Sequence, residues 1–153
     1  MSEADSALPQ RPTLIVAEPP AVYLFRPLLV VDCSVLCAVL FEEPLRDEAL
    51  RHLAGKDLHA PTLLEHEVAS VAASKRRQNW PAESVAAGLV NFAAQQITLH
   101  RTDIAEQVEL AQRYGLSAYD SAYLWLAGKL KAPLATFDRR LGRAAQQHLG
   151  DLA

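Results

Sequence analysis

Hydrophobic positions follow two different spacings along most of the chain. Short apolar runs that suit strands alternate with longer segments in which apolar residues recur every three or four positions, as on one face of a helix. The runs predict four strands, at 29–32, 58–60, 97–99 and 134–136. The longer segments predict seven helices, at 34–41, 44–54, 62–77, 81–95, 104–114, 119–130 and 139–148. Strands that alternate with helices predict an α/β fold, with helices on both faces of a parallel sheet.

The first 27 residues break this rhythm. They contain five of the nine prolines, and proline discourages helices and interrupts strand ladders. We therefore predict an extended, proline-rich arm over 1–27, followed by one domain over 28–150. The apolar run 14–17 leaves an added edge strand open.

Composition narrows the class of protein more than its function. The chain has 153 residues, half of them apolar, which suits a single buried core. No apolar run approaches the roughly 20 residues that span a bilayer, and the acidic start MSEADS lacks the positive region of a secretory signal. We expect a soluble, cytoplasmic protein in which Cys33 and Cys37 are reduced thiols packed as small hydrophobes. The net charge of −3 means that any nucleic-acid binding depends on local basic patches.

Two aspartates follow predicted strands. Asp32 closes the first strand and Asp138 follows the last, and the carboxyl ends of parallel strands are where ligands bind. Each aspartate could instead cap the helix that comes after it. Ser34 and Thr136, two residues from these acids, place hydroxyl groups at the same strand ends.

Two further acids lie on predicted helices. On the helix over 62–77, Glu67 falls about 40° from Val71 and about 60° from Leu64, close to the apolar stripe, so we prefer it to Glu65. Asp120 lies three residues after Ser117, in a variant of the capping box, and shares a face with apolar side chains. The simpler interpretations are a solvated helix charge for Glu67 and a capping role for Asp120.

Taken together, the four acids predict one acidic pocket that binds a cation. Two carboxylates ~5 Å apart repel each other by ~3 kcal/mol at an effective dielectric constant near 20, so four of them cannot remain ionised together without a positive ion. Oxygen ligands without a His or Cys cluster favour Mg²⁺ or Mn²⁺ over zinc.

Four motifs in order carry a resemblance to a known family. VVDCSVL, APTLLEHEVASV, LSAYDSAYLWLA and LATFDRRL resemble the PIN-domain ribonucleases, particularly toxins of the VapC type, over residues 28 to about 148. The resemblance implies a three-layer α/β/α sandwich with a mostly parallel sheet of four or five strands. It also implies Mg²⁺-dependent (or Mn²⁺-dependent) endonucleolytic cleavage of RNA, inhibition by a small VapB-like antitoxin, and a homodimer. The metal-binding and catalytic acids it implies are Asp32, Glu67, Asp120 and Asp138, with supporting hydroxyls from Ser34 and Thr136.

Basic residues must hold an RNA backbone that the acids would repel. Arg139 and Arg140, directly after Asp138, are the candidates, with Arg143 and the cluster Lys75–Arg77 behind them. Two other functions stay open. One is a noncatalytic interaction module whose acids cap helices, and the other is a phosphatase with Asp32 as nucleophile, although that class usually has a second acid close to the first.

Overall fold

The structure is a computed structural model that describes residues 26–152. Its strands are β1 (Leu28–Val31), β2 (Asp57–Pro61), β3 (Ile97–His100) and β4 (Leu134–Ala135). Its helices are α1 (Cys33–Leu40), α2 (Arg46–Leu53), α3 (Leu63–Arg77), α4 (Ala82–Ala94), α5 (Ile104–Tyr114), α6 (Ala118–Leu130) and α7 (Arg139–Asp151). Every strand and helix expected from the hydrophobic spacing is present, with ends that differ by at most three residues. Most of the predicted arm, including the run 14–17, lies outside the described residues, so the division between arm and domain stays a prediction.

The four strands form one parallel sheet in the order β3-β2-β1-β4. The chain moves outward from β1 to β2 and β3, and then returns to the other side of β1 for β4. The strand order therefore reverses between β1 and β4. Ligands of open α/β sheets bind at such a switch point, beyond the carboxyl ends of the strands.

The central strand β1 is covered on both of its faces. Leu29, Val30 and Val31 are consecutive and all buried, although neighbouring side chains of a strand point to opposite faces. On one side, α6 contacts β1, β2 and β4, and α5 and α7 pack against α6. The other group is built around α1, which contacts α2, α3 and α4. The result is the expected three-layer α/β/α arrangement.

Helices α6 and α4 pack closely against their neighbours. Six of the thirteen residues of α6 are buried, and α6 contacts β1, β2 and β4. At Gly88, α4 approaches α1 so closely that a Cβ would lie 2.5 Å from Phe41 Cε1. Among residues 26–152, no helix combines the length and the apolar character that a membrane span requires.

Candidate active site

The four acids predicted from the sequence line a single pocket of about 590 Å³. They come from four separate segments: the end of β1, the second turn of α3, the first turn of α6, and the residue before α7. The pocket lies where β1 and β4 end, at the switch point of the sheet. The fold thus brings together residues that are far apart along the chain: Asp32, Glu67, Asp120 and Asp138.

Asp32 is fixed by two hydroxyl groups. Ser34 Oγ and Thr136 Oγ1 both donate to Asp32 Oδ2, at 2.8 and 2.7 Å. Each hydroxyl oxygen also accepts a backbone N–H, from Phe137 at 3.0 Å and from Asp138 at 2.9 Å. These N–H bonds leave the single proton of each hydroxyl directed at Asp32. Asp32 occupies the N-cap position of α1 but makes no capping hydrogen bond, so the capping interpretation does not hold for this residue.

Burial opposes the negative charge on two of the acids. Burial raises the pKa of Asp32; the hydrogen bonds from Thr136 and Ser34 offset part of that rise, and the charge of Asp120 adds to it. Burial also raises the pKa of Glu67, and the charges of Asp32 and Asp120 act in the same direction. The charges of Asp32, Glu67 and Asp120 therefore repel one another, and a bound cation would reduce this repulsion.

Glu67 is held by a tyrosine from the opposite group of helices. Tyr123 Oη, on α6, donates to Glu67 Oε2 at 2.5 Å. Burial and this hydrogen bond raise the pKa of Tyr123, so the phenol keeps its proton and remains a donor. Glu65 is exposed, in agreement with the preference for Glu67. Tyr123 was not among the site residues predicted from the sequence, although a buried tyrosine hydroxyl needs a polar partner and Tyr123 lies three residues after Asp120.

Asp120 and Asp138 combine a pocket position with a role at a helix start. Ser117 Oγ accepts the Asp120 N–H at 3.0 Å and donates to Asp120 Oδ2 at 2.8 Å, which confirms the predicted capping-box variant. Asp138 Oδ1 accepts the N–H of Leu141 at 2.8 Å and so caps α7. The structural and the functional interpretations of these two acids are therefore compatible.

Two thiols also line the pocket. Cys33 and Cys37 are free and buried, with their sulfur atoms 3.4 Å apart, as expected for reduced cysteines packed as small hydrophobes. The contact with Cys37, together with burial, raises the pKa of Cys33. Because the thiolate is the form that ligates soft metals, a protonated Cys33 does not favour zinc.

The donor chemistry of the pocket fits a hard divalent cation. Its titratable donors, apart from the two thiols, are carboxylates, and two of these have raised pKa values that a cation would lower. Within residues 26–152, however, no three Asp, Glu, His or Cys side chains are arranged to hold a metal ion. Each carboxylate is instead engaged by its own neighbours, such as Ser34 for Asp32 and Tyr123 for Glu67.

The basic residues predicted to contact RNA differ in whether they are exposed to a ligand. Lys75 is buried, pairs with Glu43 at 2.7 Å, and lies 3.8 Å from the centroid of the Trp80 ring. It is therefore occupied within the protein. Arg139 and Arg140 are exposed and line a second pocket, next to the one that contains the acids.

Cavity size does not identify the site. A larger cavity of about 670 Å³ runs beside β4 and α2, and its lining includes Pro27, Glu48 and Phe137 but none of the four acids. We assign the chemistry to the smaller pocket because the carboxylates converge there, and a convergence of titratable groups is a better guide to reactivity than volume.

Comparison with known proteins agrees with this fold. Residues 29–147 match the family described as PIN domain. The chain belongs to the PIN-domain family. This PIN domain is 29% identical over 119 residues to Ribonuclease VapC3 of Pyrobaculum aerophilum, an alignment that covers 74% of this chain and 91% of the relative. It also matches the crystal structure of PAE2754 from Pyrobaculum aerophilum with a TM-score of 0.62 at 21% identity, over 82% of this chain and 95% of that chain. The resemblance found in the sequence motifs is confirmed.

Proposed function

We propose that this PIN domain is a divalent-metal-dependent endoribonuclease and acts as the toxin of a toxin–antitoxin pair. The observation that carries the proposal is the convergence of four acids from separate segments in one pocket. Membership of the PIN family and the similarity to a protein named as a ribonuclease support the same reaction.

In this proposal the four carboxylates bind Mg²⁺ or Mn²⁺. Two hydroxyl groups and a phenol orient two of these carboxylates by hydrogen bonds. A bound cation would lower the pKa of a water molecule and neutralise charge that develops on phosphate oxygens. Ser34 and Thr136 fix the orientation of Asp32, and Tyr123 fixes that of Glu67. Asp120, half-buried at the start of α6, positions the attacking water. The proposed ligand set is Asp32, Glu67, Asp120 and Asp138.

The proposal includes two protein partners. A VapB-like antitoxin inhibits the enzyme in the cytoplasm, and a second copy of the chain forms a homodimer. Exposed apolar side chains on α5, namely Ile104 and Val108, support a protein contact on that helix. Arg139 and Arg140 contact the RNA backbone beside Asp138.

The test is cleavage of RNA by the purified full-length chain freed of antitoxin. With Mg²⁺ or Mn²⁺ we expect endonucleolytic products from single-stranded or structured RNA, separated on denaturing gels. Excess EDTA and the substitution Asp32→Asn should each abolish cleavage, while circular dichroism shows an unchanged fold. Glu65→Gln, which neutralises an exposed acid on the same helix as Glu67, is the control and should keep full activity.

Other outcomes would point elsewhere. Cleavage that survives both EDTA and Asp32→Asn would contradict the proposal and indicate a contaminant or a metal-independent mechanism. Release of phosphate from small esters through an aspartyl-phosphate would indicate a phosphatase. Tight binding of a protein partner without either activity would indicate a noncatalytic module.

A further inference from the structure

A basic pocket begins one residue along the chain from the acidic one, at Arg139 after Asp138. It has a volume of about 590 Å³ and lies between the C-terminal turn of α5 and the part of α7 from Arg139 to Gln147. Four arginines provide its charge, and Tyr114 and Gln147 complete most of its lining. We call it the arginine pocket and define it by Arg113, Arg139, Arg140 and Arg143.

The arginine pocket is charged without internal compensation. All four side chains are exposed. Between residues 26 and 152, ion pairs join Arg46 to Asp47, His59 to Asp57 and Lys75 to Glu43, and none involves an arginine of this pocket. Among the described residues, these four guanidinium groups thus lie together without a carboxylate at salt-bridge distance, in a chain whose net charge is −3. Such a concentration of one sign attracts an anionic ligand.

The chain connectivity joins the two pockets. Asp138 lines the acidic pocket and caps α7, and the next two residues, Arg139 and Arg140, line the arginine pocket. A Cβ on Gly115 would lie 3.2 Å from Arg140 Nη2, so this guanidinium lies over the turn between α5 and α6. That turn leads directly into the start of α6, which carries Asp120. The arginine pocket therefore lies on the side of the acidic pocket formed by Asp120 and Asp138.

Between α1 and α2, the lining of the acidic pocket carries no basic side chain. There Glu43 lines the pocket, and the neighbouring cation Lys75 is buried and paired with it. Among residues 26–152, the lining of the acidic pocket therefore contains no basic side chain, whereas the exposed arginines of the arginine pocket begin at the residue after Asp138.

We infer that the arginine pocket binds the phosphodiester backbone of RNA on the Asp120–Asp138 side of the cleaved bond. The inference rests on the proposed function for the identity of the polymer, and it extends that proposal to Arg113 and Arg143 and to one direction away from the acids. Planar guanidinium groups donate two parallel hydrogen bonds to phosphate oxygens, which favours phosphate over other anions. A polymer with one charge per nucleotide also places successive phosphates at the acids and at the arginines.

The experiment measures binding of a fluorescently labelled single-stranded RNA by anisotropy, with the full-length protein in EDTA so that no metal-dependent cleavage occurs. The test variant is Arg113→Gln with Arg143→Gln. The matched control is Arg51→Gln with Arg101→Gln, which removes two exposed arginines elsewhere. We expect the test variant to weaken binding on the order of tenfold and to reduce the slope of log affinity against log salt by about 0.7 for each lost contact. The control should stay close to wild type, and circular dichroism should show both variants folded.

Two results would overturn the assignment. Equal weakening by the test and control pairs would show that RNA responds only to total charge. Unchanged RNA affinity with weakened binding of polyglutamate would assign the pocket to an acidic protein segment. The cleavage assay of the wild type distinguishes failure of this inference from failure of the proposed function. If binding depends on the arginines but no RNA is cleaved, the proposed nuclease activity is refuted. If RNA is cleaved but its binding does not depend on the arginines, the assignment of the arginine pocket is refuted.

Discussion

At Asp32, hydrogen bonding and burial act in opposite directions. The hydroxyls of Ser34 and Thr136 favour the charged form, but burial and the nearby Asp120 favour the neutral one, and the net effect is a raised pKa. In the metal-free protein, ionised Asp32 therefore lowers the free energy of unfolding. A bound cation would offset this loss, which links the affinity for metal to the stability of the fold.

The first prediction concerns Asp32→Asn in the absence of metal. A raised pKa means that folded protein binds more protons than unfolded protein, so the contribution of Asp32 is complete below its ordinary pKa of 3.8 and is lost as pH rises through the folded value. Asparagine cannot ionise, and its single carbonyl oxygen can accept both hydroxyls because they converge on one oxygen already. At pH 7 in EDTA we expect Asp32→Asn to melt higher than wild type, by about 2–4 °C for each kcal/mol regained.

The comparison is made by calorimetry across pH and with added Mg²⁺. The advantage of Asp32→Asn should shrink towards pH 4, and Mg²⁺ should raise the melting temperature of wild type but not of the variant. Glu65→Gln is again the matched control and should follow wild type. A variant that melts lower than wild type at pH 7 would show that the charged form of Asp32 stabilises the fold.

The sequence and the family resemblance identify the acids and the supporting hydroxyls of Ser34 and Thr136, but not the individual contacts that hold the acids. Asp32 and Asp138 are identifiable because they follow strands, and Glu67 because of its angle to the apolar stripe. The contact of Tyr123 with Glu67 joins residues 56 positions apart, and that of Thr136 with Asp32 joins residues 104 apart. Such contacts depend on how helices pack across the end of the sheet, which no local spacing encodes.

The packing of helix α4 against α1 depends on a glycine, Gly88. A Cβ at Gly88 would lie 2.5 Å from Phe41 Cε1 and 2.9 Å from the carbonyl oxygen of Leu40. The ring can turn aside, but the backbone oxygen cannot move without displacing α1. We expect Gly88→Ala to lower the free energy of unfolding by about 1–3 kcal/mol, as overpacking usually does, measured by urea denaturation.

Gly150→Ala supplies the control, because a Cβ at that position of α7 would have no atom of the described residues within 4 Å beyond its chain neighbours and the adjacent helix backbone. Alanine has the higher helix propensity, so this variant should be unchanged or more stable by up to about 1 kcal/mol. If Gly88→Ala proved as stable as Gly150→Ala, α4 and α1 would not be in such close contact in solution.

The ends of helices α5 and α2 show where local sequence signals predict a helix boundary and where they do not. The helix α5 begins and ends as predicted, because Asp103 caps it and Gly115 ends it in the left-handed conformation. By contrast, α2 begins at Arg46 rather than at residue 44. The preceding turn has Glu42 at a φ of 51°, and Glu43 is held there by Lys75 of α3. That ion pair is a tertiary contact, so the sequence around residue 44 does not reveal it.

For the whole molecule, alternation of strands and helices was sufficient to predict a parallel sheet, but not its strand order. The order β3-β2-β1-β4 follows from pairings between distant segments, of which β1 with β4 spans more than 100 residues. This pairing places Asp32 beside Thr136 and Asp138 and creates the switch point. The predicted convergence of acids therefore depended on a feature that only the three-dimensional structure shows.

The surface of α5 leads to the last prediction, on assembly. None of its residues is fully buried, and Ile104 and Val108, one turn apart, remain 74% and 47% exposed. Large apolar side chains exposed on one helix face commonly mark a protein contact. In the proposed homodimer, α5 of each copy contributes this face, as a twofold interface requires. We therefore expect Ile104→Glu with Val108→Glu to convert a dimer to a folded monomer in sedimentation velocity.

A matched control pair of substitutions distinguishes the loss of the apolar contact on α5 from the addition of two negative charges. Gln95→Glu with Gln96→Glu adds the same two negative charges at exposed positions between α4 and β3, and it should leave the dimer intact. Because the acidic pocket lies within one chain, the monomeric variant should keep the fold and the four acids in place, and Mg²⁺ should still raise its melting temperature. A dimer that survives both glutamates on α5 would move the interface to another surface.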